Sequence, residues 1–143
     1  MTNIPLQIDI KMKPWENEEF VKEVYTQTKK RLEKEYQTDI IALFHVENHI
    51  EAYMEDADVV SGILDIALRT KIGEVRMIQF PETALEVHIN KLTDAGLGIS
   101  LSEIRDENGN YYLDAYQESP SDSPDKAGYK SDYQQLISYK YRK

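Results

Sequence analysis

Two histidines and two glutamates crowd one short stretch, His45-Val46-Glu47-Asn48-His49-Ile50-Glu51. By ligand type they raise metal binding. Histidines at i, i+4 share a face on a helix. In an extended chain all four side chains alternate onto one face, and the two histidines then stand about 13 Å apart. No single ion spans that distance, so no metal is expected. His49 and Glu51, at i, i+2, share one strand face and raise a second role, that of a recognition pair. The neutral alternative is two exposed polar residues on an outer strand, which local sequence alone favours. Catalysis finds little support. There is no cysteine, no G-x-S-x-G, no G-x-x-x-x-G-K-[ST] and no Gly-rich phosphate loop. No paired-carboxylate constellation stands out. The chain is read as non-catalytic, with no cofactor. His88 falls on the apolar face of an expected helix and reads as a packing residue. Four of the ten tyrosines follow Gly128, and Tyr111, Tyr112 and Tyr116 fit a strand, where aromatics are favoured in any case.

These residues need elements to position them. Leu6, Ile8, Ile10 and Met12 alternate with polar neighbours and predict a strand ending at Pro14. Phe20, Val21, Val24, Tyr25, Thr28, Leu32 and Tyr36 recur at helical steps, predicting a helix over 17–36 with Asn17 as N-cap. Ile40 to Phe44 is apolar on both parities, the pattern of a central buried strand, and the chain is expected to stay extended through His49 to Met54. Val59, Val60, Ile63 and Leu64 mark a helix over 55–66, with Asp56 as a cap. Gly73–Phe80 reads as one strand, and a helix over 83–95 closes at Gly96. A strand leads from Ile99 to Arg105, and Asn108-Gly109 signals a hairpin into Tyr111–Tyr116. Helices alternating with strands, and a hairpin last, imply an α/β domain: a mixed β-sheet flanked by helices over 1–116. A Ser/Pro/Asp linker follows at 117–128, then a Tyr-rich basic tail over 129–143 in which Tyr129, Tyr133, Leu136 and Ile137 have helical spacing.

Charge limits the partners. The 143 residues carry 17 bases against 26 acids, a net charge of −9. Residues 117–143 hold four acids and five bases, so the acidity lies in residues 1–116. No basic stripe of the kind that marks a nucleic-acid binder is visible there. Only the chain's end, with Lys140, Arg142 and Lys143, is suited to touch DNA or to dock on the acidic body. No apolar run is long enough to span a bilayer, the N-terminus lacks the form of a secretory signal, and the absence of cysteine fits a reducing compartment. No membrane partner is expected, and the expected location is cytoplasmic.

Two blocks carry a family resemblance. Asp39 to Ala57, DIIALFHVENHIEAYMEDA, is similar to the pattern I-L-L-F-x-x-G-D-F-Y-E-x-F-x-x-D-A of the N-terminal mismatch-recognition domain of the MutS DNA-repair proteins. The matching positions are Ile41, Leu43, Phe44, Glu51, Tyr53, Asp56 and Ala57. Phe80-Pro81-Glu82-Thr83-Ala84-Leu85-Glu86, running on to Lys91-Leu92, resembles that domain's V-P-Y-H-A-L-E-x-Y-L-x-K-L, and Ala95-Gly96 resembles its following x-x-A-G. The resemblance covers about residues 17–105. It implies a stand-alone relative of the recognition domain, without the family's ATPase.

In that family a Phe-x-Glu device reads the DNA: the Phe wedges against a mispaired base from the minor groove and the Glu hydrogen-bonds it. By position, Glu falls on Glu51 and Phe on His49, while the preceding Gly-Asp becomes Glu47-Asn48. An imidazole stacks less well than a phenyl ring and can titrate in the neutral range. Glu47 adds an anion at the tip, and loss of the glycine bears on the backbone there. The resemblance therefore implies His49 and Glu51 as DNA-binding residues, DNA with distorted or mismatched pairing as ligand, and a partner protein supplying ATPase or nuclease activity. The alternative is an acidic protein-interaction module that kept the fold and lost DNA binding.

Overall fold

The computed structural model describes residues 14–36, 39–107, 110–118 and 133–137. The strand expected over Leu6–Met12, most of the 117–128 linker and the last six residues lie outside them. After a single 3-10 turn at Pro14–Glu16, helix α1 spans Glu18–Glu35. Asn17 caps it as expected, its Oδ1 accepting from the Phe20 amide at 2.9 Å. Strands β1 (Ile40–Val46) and β2 (His49–Tyr53) lead to α2 (Met54–Leu64), then β3 (Arg69–Ile72) and β4 (Val75–Pro81). A 3-10 turn at Glu82–Ala84 opens α3 (Leu85–Asp94), and β5 (Gly98–Glu107), β6 (Asn110–Glu118) and β7 (Tyr133–Ile137) follow as the last of the described elements. Gly96 closes α3 at φ +91, in the left-handed region that favours glycine.

All strands among the described residues join one mixed sheet, ordered β3-β4-β2-β1-β5-β6-β7. The β1–β5 pair is parallel and every other pair antiparallel. The central position of β1 explains its unbroken apolar run: both its faces are buried. Ile40, Ala42, Phe44 and Val46 face the α1 side, packing with Phe20, Val24, Leu32, Tyr53 and Met77. Ile41 and Leu43 face α2 and α3, packing with Val60, Ile78, Leu92 and Ile99. Each core holds side chains worth about 1.5–3 kcal/mol when fully buried. No helix among the described residues is long and apolar enough to cross a membrane.

Three expectations change. The strand expected over Gly73–Phe80 is β4, but a strand the sequence pattern did not mark, β3, precedes it and pairs with it as a hairpin around Gly73-Glu74. Gly73 has φ +57 and lies against the Glu18 carboxylate, which accepts from the Glu74 amide at 3.0 Å. Asp56 does not cap α2; the N-cap is Tyr53, without a side-chain bond. Asp56 instead turns inward, accepting from the Ala42 amide at 2.9 Å and pairing with Lys29 at 3.0 Å. Lastly, Tyr133–Ile137 is a strand on β6 rather than a helical turn. Side-chain spacing over so few residues fits both, and pairing with an open sheet edge decides it.

Candidate functional site

The histidine-glutamate stretch folds as the β1–β2 hairpin. Glu47-Asn48 forms its two-residue turn, and both are exposed. Glu47 adopts φ 57, the left-handed conformation that glycine takes without cost and that costs other residues about 1–2 kcal/mol. The turn keeps a glycine-like backbone with a glutamate in place.

Reversal at this turn separates the residues that an uninterrupted strand would align. His45 lies on the α2/α3 face, its Nε2 2.7 Å from Glu82 and its Nδ1 3.2 Å from Glu103. His49 pairs across the hairpin with Val46, and Glu51 with Phe44, so both point to the α1 face. The two histidines stand on opposite sides of the sheet, and the expectation of one shared face is corrected.

Glu51 is nearly inaccessible, its side chain 2% exposed. Three groups meet its carboxylate. Lys71 Nζ donates to Oε1 at 2.7 Å, Tyr53 Oη donates to the same oxygen at 2.7 Å, and His49 Nε2 lies 2.9 Å from Oε2. Tyr53 is wholly buried, stacked on Phe44 and flanked by Trp15. Burial, reinforced by the Glu51 charge and hydrogen bond, pushes its phenol well above the usual range. Lys71 reaches the carboxylate from β3, two strands away. It stands where the β3–β4 register slips between Thr70 and Ile72, the kind of irregularity that re-aims a side chain.

His49 is the outer member of this group, its side chain 22% exposed beside the turn. Nε2 faces Glu51, and Nδ1 lies 3.2 Å from Asn48 Oδ1. A protonated ring would donate from both nitrogens; a neutral one would donate to one oxygen only, unless the Asn48 amide turns to donate instead. In either form the ring plane is fixed from beneath by a buried anion, which is itself neutralised by Lys71. The surroundings are acidic: Glu47 is exposed, and the Glu82 and Glu103 side chains are 45% and 61% exposed. A second buried ion pair supports the opposite end of β1. Lys29 donates to Ile40 O at 2.6 Å and pairs with Asp56. Burial raises the Asp56 carboxyl above its ordinary range, with Lys29 opposing that shift.

Sequence reasoning singled out His49 and Glu51 and missed Lys71, Tyr53 and Lys29. Lys71 was passed over because β3 was unrecognised. Its one local signal is its position two residues before the Gly73-Glu74 turn, at the edge of an alternating run. His88 is half-buried as expected, its ring edge-on to Phe80 at 4.5 Å, and its buried Nδ1 has no hydrogen-bond partner among the described residues.

Comparison with known proteins shows the family. The family described as MutS domain I matches residues 23–114. The DNA mismatch repair protein MutS of Thermotoga maritima is 35% identical over 74 residues, which is 52% of this chain and 9% of the relative. That of Fervidobacterium nodosum is 39% identical over 70 residues, 49% of this chain and 8% of the relative. That of Leptospira interrogans serovar Lai is 35% identical over 65 residues, 46% and 8%. In each case the match spans less than a tenth of the relative's length.

Proposed function

The chain belongs to the MutS domain I family, and on that premise we propose that it is a non-catalytic DNA-recognition module that senses distorted or mismatched pairing through the β1–β2 turn. His49 is the side chain that meets the base, and Glu51 positions it from beneath instead of touching the base itself. The observation that carries this reading is the 2.9 Å contact between His49 Nε2 and the buried Glu51 carboxylate, anchored by Lys71 and Tyr53. A planar ring held at the rim of an exposed turn is ordered before DNA arrives, so less conformational freedom is lost on stacking. A mismatched step is also easier to open than a paired one. With no chemistry of its own, the module acts beside a protein that supplies ATPase or nuclease activity.

The test is fluorescence anisotropy with a labelled duplex carrying one mismatch and its matched counterpart at low salt. The mismatched duplex binds more tightly, and His49→Ala removes about 1–3 kcal/mol of that preference, the range for an aromatic–base stack. His49→Phe strengthens it. Equal, negligible binding to both duplexes by the full chain refutes the proposal. A second reading is favoured by the carboxylates of Glu47, Glu82 and Glu103 around the turn: a module that docks on a basic protein surface. Retention of a basic nucleic-acid enzyme together with no retention of DNA would select it.

A further inference from the structure

On the α2/α3 side of the sheet, α3 packs over β5. Between the flank of α3 and β6 lies an open groove of about 450 Å³, lined by Leu85, Glu86, Ile89, Asn90, Leu101 and Tyr116. That volume falls within the range of roughly 300–1,000 Å³ usual for ligand sites. Strand pairing explains its make-up. Leu101 is level with Tyr116 and both are half-buried, so the floor is apolar. One row nearer the β1–β2 turn, Glu103 is level with His45 on one side and with Asp114 on the other. Like charges directly opposite each other are disfavoured in a strand pair. Glu82 brings a further carboxylate to that row through its 2.7 Å contact with His45, and Glu86 stands exposed on the α3 wall. No lysine or arginine is among the lining residues. An apolar floor with a charged rim is the cross-section of a protein interface, and the rim sets the charge of the partner.

Charge also decides between occupants. A second copy of the chain would bring another net charge of −9, and a nucleic acid would bring phosphates to carboxylates. We propose that the groove docks a short segment of a partner protein in which an apolar side chain is flanked by lysines or arginines. The apolar side chain seats on Ile89, Leu101 and the Tyr116 ring, and the cations meet Glu86 and Glu103. His49 points to the opposite, α1 side of the sheet, so a docked partner leaves it uncovered. The inference needs no DNA binding. It takes from the second reading above only the basic partner, and assigns that partner the groove rather than the turn.

The probe is a fluorescein-labelled peptide with three arginines on each side of a Leu-Phe pair, titrated with the full chain at low salt. Replacing Leu-Phe by Ser-Ser should weaken binding about ten-fold or more, the factor expected for burying a large apolar side chain. Asn90→Phe fills the groove and Glu86→Arg reverses the charge of its wall, both at exposed positions on α3. Each should weaken the Leu-Phe peptide about ten-fold, and a retained melting transition verifies that the fold is intact. Glu47→Gln, at the turn, should leave peptide binding unchanged, and Asn90→Phe should leave duplex binding unchanged. No peptide binding, equal binding of the Ser-Ser peptide, or binding insensitive to both α3 variants overturns the groove. Loss of the peptide with Glu47→Gln alone also overturns it and moves the basic partner to the turn, as the second reading has it. A dimer in sedimentation that Asn90→Phe breaks would give the groove to a second copy, and loss of duplex binding in that variant would give it to nucleic acid; either overturns the proposal. Failure on the peptide alone leaves the DNA-recognition reading in place, since that reading stands or falls on the duplexes and His49.

Discussion

Removing Lys71 tests whether the buried carboxylate of Glu51 is held as the distances indicate. Lys71→Met keeps most of the length of the side chain and deletes its charge. Glu51, with 2% of its side chain exposed, would keep only the Tyr53 and His49 contacts. Leaving one member of a buried ion pair unpaired costs about 3–5 kcal/mol. Because the Lys71 side chain is itself only 13% exposed, water replaces little of that interaction. For a domain of this size about 1 kcal/mol moves the melting temperature by about 2–4 °C, so the variant should melt roughly 6–20 °C lower. Glu51→Gln strands the ammonium instead but retains an amide oxygen for it, and should lose about 1.5–3 kcal/mol. The double variant removes both charges and should recover to within about 2 kcal/mol of the parent, because a neutral pair no longer has an ion to desolvate. The coupling energy should therefore exceed about 2 kcal/mol. Urea unfolding followed by tryptophan fluorescence suits this measurement: the chain has one tryptophan, and Trp15 lies 5.5 Å from Phe44 and 6.1 Å from Tyr53, beside the network. Additive single losses, within about 0.5 kcal/mol, would refute a paired Glu51 and with it the fixed His49 ring.

Two further outcomes are expected. Glu47→Gly relieves the left-handed strain at φ 57 and should raise stability by up to about 1 kcal/mol, less the entropy that glycine gains on unfolding; a loss greater than about 1 kcal/mol in urea would show that Glu47 itself holds the turn. For His88, burial, aided by the nearby Lys91 charge, lowers the ring's proton affinity below the ordinary value of 6.5. Above that pH both folded and unfolded chains are neutral at this residue; as pH falls through it the unfolded chain takes up a proton that the fold resists, and stability is lost. His88→Phe should therefore gain on the parent as pH is lowered from 7 to 5, and a constant difference between the two would contradict the assignment.

Much of the fold was legible because its signals are local. Asn17 capping α1, the two-sided apolar run of β1 and the Asn-Gly hairpin each rest on a few adjacent residues. What escaped depends on distant partners. Asp56 looks like a cap in sequence, yet the open amide of Ala42 and the Lys29 ammonium draw it inward. Tyr133–Ile137 has spacing compatible with either element, and the edge of β6 settles it. The pairing of His49 with Glu51 was visible as spacing. That Glu51 is buried was not, since its burial depends on Lys71 arriving from a strand that sequence pattern alone did not mark.

The parallel pairing of β1 with β5 also sets the order in which the molecule can be assembled. Gly98 meets Ile40 about sixty residues later in the chain, so the closure entropy of this contact must be met before the sheet is continuous. Strands β1 to β4 and α2 can associate through near neighbours, while β5, β6 and β7 join as a second, hairpin-built group. Until they dock, one whole edge of the most apolar strand in the molecule stands open, with backbone donors and acceptors unfilled and Ile41, Leu43 and Phe44 beside them. A nascent chain halted before Gly98 would carry that edge exposed. The vulnerable interval in the life of this domain is therefore the one between completion of its first half and arrival of its fifth strand.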